Sequence, residues 1–152
     1  METETISGDP LELDRQVCFA LAVASRSVIA LYRPVLEPLG LTHPQYLVML
    51  ALWGEQPLSV KELSQRLALD PGTLSPLVKR LESAGYVNRA RLATDERTLA
   101  ISLTEAGASL RERALLVPPA IVARLGMPIS ELEEAHRMLT RLIAAAADTP
   151  SP

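Results

Sequence analysis

Cys18 is the only cysteine of this 152-residue chain, and it lies in the apolar run RQVCFALAVASRS, residues 15–27. An ionised thiol is a nucleophile that can be oxidised or bind a metal, whereas a neutral buried thiol is inert packing. Arg15, one turn earlier, and the start of a helix would both favour the thiolate, while Asp14 opposes it. The position alone therefore fits either a reactive group or core filler.

A single cysteine cannot form an internal disulfide, so the thiol is free or pairs with another molecule, as in a reducing cytoplasm. The acidic first 14 residues have the wrong charge for a secretory signal. Arg26, Arg33 and the prolines at 118–119 interrupt the apolar stretches, which argues against a membrane span. The cysteine and the two histidines have no compact ligand spacing. We expect a cytoplasmic protein with no membrane contact, metal or cofactor.

Charge is segregated along the chain. Residues 59–104 carry seven Lys or Arg and five Asp or Glu, a net charge of +2, while the whole chain is −3 and the remainder is therefore −5. A mildly basic module between acidic flanks favours a DNA-binding domain with separate dimerisation helices. The overall negative charge argues against a protein that coats nucleic acid indiscriminately.

Capping and periodicity signals predict the helices. Apolar residues at helical spacing predict a long first helix over 11–37. Each of the next helices has a polar cap followed by apolar residues on one face. These three are a helix over 44–53 capped by Thr42, one ending near Leu67 capped by Ser59 with Glu62, and one of about 14 residues capped by Asp70.

Two short strands, 86–92 and 98–103, follow with a polar turn at 94–97 between them. Two capped helices followed by a hairpin form a winged helix-turn-helix. Thr104 starts a helix that breaks at the prolines 118–119, and Ser130 with Glu133 forms a capping box for a last helix.

The predicted fold is mainly α with a small β-hairpin wing, that is, a winged helix-turn-helix with N- and C-terminal dimerisation helices. We expect a disordered tail over 1–10 and a winged helix-turn-helix DNA-binding domain over 41–104. Residues 11–40 and 105–147 would form the helical dimerisation region.

The fourth helix is the candidate element for the major groove, with small residues at its start and two cations one turn later. At the tip of the wing, an arginine beside an aspartate could enter the minor groove, and two further arginines could contact phosphates. The alternative for any one of them is a solvated surface charge. The candidate DNA-binding residues are Gly72, Thr73, Ser75, Pro76, Lys79, Arg80, Arg89, Arg91, Asp95 and Arg97.

The stretch KELSQRLALDPGTLSPLVKRLESAGYVNRARLATDERTLAISLTEAG, residues 61–107, resembles the MarR family of dimeric winged-helix regulators. LDRQVCFALAVASR, YRPVLEPLGLTHPQYLVMLALW and LDPGTLSPLVKRLE resemble its OhrR branch of organic-hydroperoxide repressors, one-cysteine type. The resemblance covers residues 11 to about 115. It implies a homodimeric repressor rather than an enzyme, which binds an inverted-repeat operator in double-stranded DNA and leaves it when Cys18 is oxidised.

Tyr32 lies 14 residues after Cys18, so on one continuous helix their Cα atoms are about 21 Å apart. If Tyr32 serves Cys18 it must come from another chain, and antiparallel first helices of a symmetric dimer would place it there. The resemblance implies the same. The branch usually has LTYPQY where this chain has LTHPQY, so His43 joins Cys18 and Tyr32 as a candidate redox-sensing residue, favouring the thiolate if protonated. The alternative is that His43 only caps a helix.

Attack of the thiolate on a peroxide oxygen would give a sulfenic acid and an alcohol. Without a second cysteine, resolution needs a low-molecular-weight thiol, or over-oxidation ends the cycle. An alternative in the same fold is a repressor released by a small phenolic or lipophilic ligand, with Cys18 not the sensor. A thiol peroxidase is disfavoured because no base or resolving thiol accompanies Cys18.

Overall fold

The computed structural model describes residues 8–92 and 95–150, without the side chains of residues 92 and 95–97. It is mostly helical with one small antiparallel sheet, which confirms the predicted fold class. The helices are α1 (Val17–Leu36), α2 (His43–Gly54), α3 (Val60–Leu67), α4 (Pro71–Ser83), α5 (Glu105–Ala114), α6 (Val117–Leu125) and α7 (Ile129–Ala147), and the strands are β1 (Leu58–Ser59), β2 (Val87–Leu92) and β3 (Asp95–Leu103). Residues 1–7 of the expected tail lie outside this description.

Side-chain caps start the helices of the central module as the sequence predicts. Thr42 and Gln45 form a capping box at α2, and Ser59 and Glu62 form one at α3. Asp70 accepts the backbone N–H of the third residue of α4. Each cap satisfies an N–H group that the helix leaves unpaired, so the starts of α2, α3 and α4 are determined locally.

The sheet has the strand order β1-β3-β2, and its short first strand was not predicted. Leu58 and Ser59 pair with Ile101 and Ala100 of β3. The predicted turn over 94–97 is wrong for its last three residues, because β3 already begins at Asp95. The wing is therefore longer along β3 than the hydrophobic pattern indicates.

The C-terminal helices follow the prediction only in part. The break is confirmed, because α5 ends at Ala114 and the two prolines lie in the first turn of α6, where a missing N–H costs little. The capping box of Ser130 and Glu133 is wrong. Pro128 is the residue that precedes α7, so Ser130 is already helical and lacks the extended backbone of a capping residue.

The hydrophobic core lies between α2, α3, α4 and the sheet, with further buried residues from α5 and α6, whereas α1 and α7 contribute little to it. Only Leu36 of α1 is buried, and no residue of α7 is. Large apolar side chains stay exposed on both helices, namely Val17, Val23, Ile29, Ile129, Met138, Leu139, Leu142 and Ile143. These faces need a cover that a single protomer does not supply.

The stretch Val17–Leu39 is long and apolar enough to cross a membrane by length and composition, with a mean hydropathy of 1.4. Arg26 and Arg33 therefore do not shorten this stretch below the length of a span, although we expected them to. The pair of segments Glu105–Leu125 and Ile129–Ala147 meets the same criterion only jointly and is bent by 102°. Composition alone does not distinguish a membrane from a partner protomer as the cover of α1.

Gly107 packs closely against the backbone of Tyr86 in the same protomer. We therefore expect a side chain at position 107 to lower the stability. A Cβ at Gly107 would lie 2.0 Å from the carbonyl oxygen of Tyr86, and the Gly107 carbonyl accepts the indole N–H of Trp53 at 2.9 Å. Gly107→Ala should therefore lower the free energy of unfolding by about 1–3 kcal/mol, as in other overpacked sites.

Urea denaturation measures the change, and Gly54→Ala is the matched control. Gly54 is the last residue of α2, and a Cβ there would meet no described atom within 4 Å. The control should be neutral or up to about 1 kcal/mol stabilising. Equal stability of the two variants would show that α5 does not pack tightly on Tyr86.

Candidate DNA interface and thiol site

The start of α4 presents the candidate DNA-binding residues on one solvent-exposed face. Leu74, Leu77, Val78 and Leu81 hold the opposite face in the core. The exposed residues are those predicted for the fourth helix: Gly72, Thr73, Ser75, Pro76, Lys79 and Arg80. The structure therefore brings these six together, with the two cations following the small residues.

Asp70 fixes the backbone at the start of α4. Its carboxylate accepts the Thr73 hydroxyl at 2.8 Å and the Thr73 backbone N–H at 2.9 Å. These two hydrogen bonds hold the pKa of Asp70 below its usual value. A Cβ at Gly72 would lie 3.1 Å from the same carboxylate, so a small residue suits this turn.

In the wing, the two strand arginines have different surroundings. Arg89 is half-buried and donates from Nε and Nη2 to the two carboxylate oxygens of Glu82, both at 3.0 Å. This bond and the charge of Arg89 lower the pKa of Glu82. Arg91 is exposed farther along β2. The predicted phosphate contact of Arg89 thus competes with an ion pair inside the protomer.

Asp95 and Arg97 are the two candidate residues predicted at the wing tip. Their backbone belongs to β3, but their side chains lie outside the described part of the structure. The proposed contact of Arg97 with the minor groove, oriented by Asp95, therefore stays a prediction.

Cys18 is the second residue of α1, because the helix begins at Val17 rather than at residue 11. Gln16, which precedes the helix, forms no side-chain cap within the described part of the chain. Its side chain therefore does not occupy the N–H groups near the thiol. In the single protomer Cys18 is exposed, which does not support the interpretation of this residue as core filler. Arg15 is engaged with Glu12 at 2.9 Å.

Tyr32 and His43 meet where the C-terminal half of α1 contacts the start of α2. Their ring centroids are 4.9 Å apart in an edge-on arrangement, and Tyr46 lies 5.9 Å from Tyr32. The helix cap is Thr42, so capping does not explain His43. We call Tyr32, His43 and Tyr46 the aromatic cluster.

Burial controls the protonation of the aromatic cluster. It raises the pKa of Tyr32, and with the nearby Tyr32 charge it raises the pKa of Tyr46. It lowers the pKa of His43 below 6.5. At neutral pH the phenol and the neutral imidazole are therefore both hydrogen-bond donors, and the lowered pKa disfavours the protonated form of His43 in the protomer.

The single protomer does not bring Cys18 to the aromatic cluster. Both Cys18 and Tyr32 belong to the uninterrupted α1, about 21 Å apart at 1.5 Å per residue. Cys18, Ala22, Ser25 and Ile29 are all exposed along the face that leads to Tyr32. A group that touches both ends of this face must come from another molecule.

A cleft beside His43 was missed by sequence reasoning. It has a volume of about 440 Å³ and is lined by Ile29, Arg33, Glu37 and the chain from 40 to 44. The only sequence signal is Arg33 and Glu37 one turn apart at the end of an apolar helix. Among the described residues, no group of three or more His, Cys, Asp or Glu could hold a metal ion.

Known proteins match nearly the whole chain. The family of transcriptional regulators SarA/Rot matches residues 30–113. The chain is 43% identical to the HTH-type transcriptional regulator TtmR of Methylorubrum extorquens, covering 99% of this chain and 79% of that protein. It is 42% identical to the organic hydroperoxide resistance transcriptional regulator of Bacillus subtilis, covering 89% of this chain and 92% of that protein.

Solved structures match the fold. Reduced AbfR of Staphylococcus epidermidis bound to DNA is 34% identical, with a TM-score of 0.73 over 90% of this chain and 95% of that one. MarR of Escherichia coli shares the fold at 22% identity, with a TM-score of 0.69 over 84% of this chain and 96% of that one. The chain belongs to the MarR family of winged-helix regulators.

Membership in the MarR family settles two points. The relatives and the shared fold are those of transcriptional regulators and not of enzymes. The apolar α1 is then a helix of a DNA-binding regulator, and the family predicted from the motifs of residues 61–107 is confirmed.

The lowered pKa of His43 predicts how the free energy of unfolding depends on pH. Between the folded pKa and 6.5 the unfolded chain binds more protons at His43 than the folded protein does. This residue therefore makes the free energy of unfolding rise with pH through this range, and its contribution to the slope fades within about one pH unit above 6.5. NMR titration of the imidazole in the Cys18→Ser protein, where no thiolate can interfere, should give a midpoint below 6.5.

The His43→Tyr variant assigns the signal, because its spectrum lacks only that imidazole. It should also lose the part of the pH dependence of stability that His43 supplies. A midpoint at or above 6.5 in the Cys18→Ser protein would show that His43 is solvated or paired with an acid.

Proposed function

We propose that the protein is a homodimeric repressor that binds an inverted-repeat operator and releases it when organic hydroperoxide oxidises Cys18. The observation that carries this proposal is the exposed face of α1, with the only cysteine at one end and the aromatic cluster at the other. The name of the Bacillus subtilis relative and the AbfR structures in reduced and overoxidized, DNA-bound forms and in a disulfide form support a redox-sensing regulator.

The operator contact uses α4 in the major groove and the wing beside it. The small exposed residues at the start of α4 let the backbone approach the DNA, and Lys79 and Arg80 supply positive charge one turn later. A dimer places two such helices in successive major grooves, about one helical turn apart. An inverted repeat in double-stranded DNA is the matching target.

Dimerisation completes the thiol site. Two α1 helices that cross antiparallel put Cys18 of one protomer near Tyr32 of the other, with the symmetry axis close to Ser25. The partner then covers the exposed apolar side chains of α1 and α7. The phenol of Tyr32 and the neutral imidazole of His43 donate hydrogen bonds that stabilise the thiolate.

Oxidation starts with attack of the thiolate on the peroxide O–O bond. The sulfur gains the terminal oxygen and becomes a sulfenic acid, and the other oxygen leaves as an alkoxide that takes a proton to become an alcohol. A low-molecular-weight thiol then condenses with the sulfenic acid, releasing water and leaving a mixed disulfide. This larger group no longer fits against the partner's aromatic cluster, so the protomers shift and the two α4 helices lose their register on DNA.

The compartment proposed for this regulator is the cytoplasm, where its DNA and the reducing thiols are. The cleft beside His43 supports a second candidate function, that of a repressor released by a small ligand. Its volume of about 440 Å³ suits a small ligand, and Arg33 at its edge suits a phenolic or lipophilic acid. In that case ligand binding, and not Cys18, would cause release.

Cys18→Ser separates the two functions. The variant should bind DNA from the chain's own upstream region as tightly as the wild type, because the residue is remote from α4. It should stay bound at a dose of cumene hydroperoxide that releases the wild-type protein, in a gel shift at fixed salt. Cumyl alcohol, which lacks the O–O bond, is the matched control and should release neither protein. Peroxide release of the variant would refute the thiol sensor.

Ser25→Cys tests the proposed dimer. In a Cys18→Ser background, residue 25 should approach its own copy across the axis, within the Cβ separation of about 3.5–4.5 Å that a disulfide needs. Mild oxidation should then give a covalent dimer on a non-reducing gel. Ser27→Cys in the same background is the matched control, because Ser27 is exposed on another face of α1.

The control and the wild-type chain, whose cysteines would lie far from the axis, should both remain monomeric on that gel. Efficient cross-linking through residue 27 but not residue 25 would place the partner on a different face and remove the aromatic cluster from the thiol site.

A further inference from the structure

The ion pair of Glu82 and Arg89 joins the recognition helix to the wing. Glu82 lies one residue before the end of α4, and Arg89 is the third residue of β2. The connection between them is a tight turn in which Gly85 has a φ of +82°. The two parallel hydrogen bonds have a fork geometry that fixes orientation as well as distance.

The pair lies where β2 leaves the core. Val87 is buried, and Ile101, the residue opposite Arg89 in the sheet, is fully buried. Beyond Arg89, Ala90 and Arg91 are exposed. The hydrogen bonds between Glu82 and Arg89 connect the C-terminal end of α4 to β2 at this position.

The carboxylate also changes what Arg89 can contribute electrostatically. A guanidinium paired with a carboxylate adds little net charge to the surface that meets DNA, whereas Lys79 and Arg80 are exposed on α4. Removing Glu82 would make this surface more positive. Electrostatics alone then predicts tighter DNA binding without Glu82.

We propose that Glu82 and Arg89 are positioning residues that set the angle between the wing and the recognition helix, so that Arg89 acts on DNA binding through Glu82 and not through a phosphate. The inference rests on the DNA binding proposed for α4 and the wing. The proposed positioning role replaces the contact with a DNA phosphate that the sequence predicts for Arg89.

Glu82→Ala gives the most direct test of the positioning role. Electrostatics alone predicts that this variant binds DNA more tightly, whereas a positioning role predicts weaker binding. Loss of the ion pair should weaken operator binding by roughly five- to tenfold, at the low end of the loss expected for a single contact to a base. Fluorescence anisotropy at several salt concentrations measures it. Unchanged or tighter binding by Glu82→Ala, in a preparation where the wild type binds, overturns the inference and leaves the proposed function standing. No binding by the wild type itself would instead contradict the proposed function.

Arg89→Ala should weaken binding to a similar extent without changing the slope of log affinity against log salt. Lys79→Ala is the control for a lost phosphate contact, which lowers the slope by about 0.9. A slope change of that size in Arg89→Ala would make Arg89 a phosphate ligand and overturn the inference.

The reversed pair Glu82→Arg with Arg89→Glu excludes a general loss of structure. It rebuilds the ion pair while leaving an acid at position 89, so it should recover most of the affinity lost in the single variants. Hydroxyl-radical footprinting should show the wing's minor-groove protection lost in the single variants and restored in the double variant. Failure of the reversed pair to restore affinity and protection contradicts a positioning role.

Discussion

A rigid spacing along α1 governs the thiol site. The helix is uninterrupted from Val17 to Leu36, so the distance of about 21 Å between Cys18 and Tyr32 cannot be closed by side-chain motion. Chemistry that needs both groups therefore needs two chains. In the proposed antiparallel dimer the same spacing would keep the two cysteines apart, so we propose a small thiol as the partner that resolves an oxidised Cys18.

Hydrogen bonds, and not packing alone, connect the C-terminal end of α1, which carries Tyr32, to the winged helix-turn-helix. The Tyr86 hydroxyl donates to the Leu39 carbonyl at 3.2 Å, and Arg113 donates to the Pro38 carbonyl at 2.6 Å. These bonds join the turn after α1 to the chain on either side of the wing. A displacement of α1 should therefore move the winged helix-turn-helix as a unit. In the proposed dimer this would change the separation of the two DNA-binding domains, with little change inside each one.

Local signals made much of the fold predictable, and non-local pairings account for what was missed. The caps Thr42, Ser59 and Asp70 depend on residues three positions away, so a sequence pattern contains them. The β1 strand forms only because β3 returns beside it, and Arg89 meets Glu82 across a turn. The sequence predicted Tyr32 and His43 as site residues, but their contact, the exposure of Cys18 and the cleft depend on how α1 packs on α2.

The helix α7, which buries no residue in the protomer, links folding to the amount of protein present. A helix of 19 residues with nothing buried gains its stability from whatever covers it, and for a second copy that gain depends on protomer concentration. Operator occupancy would then rise with the square of the protomer concentration when protein is scarce. A cell that dilutes this regulator by growth would lose repression abruptly, with no oxidant present.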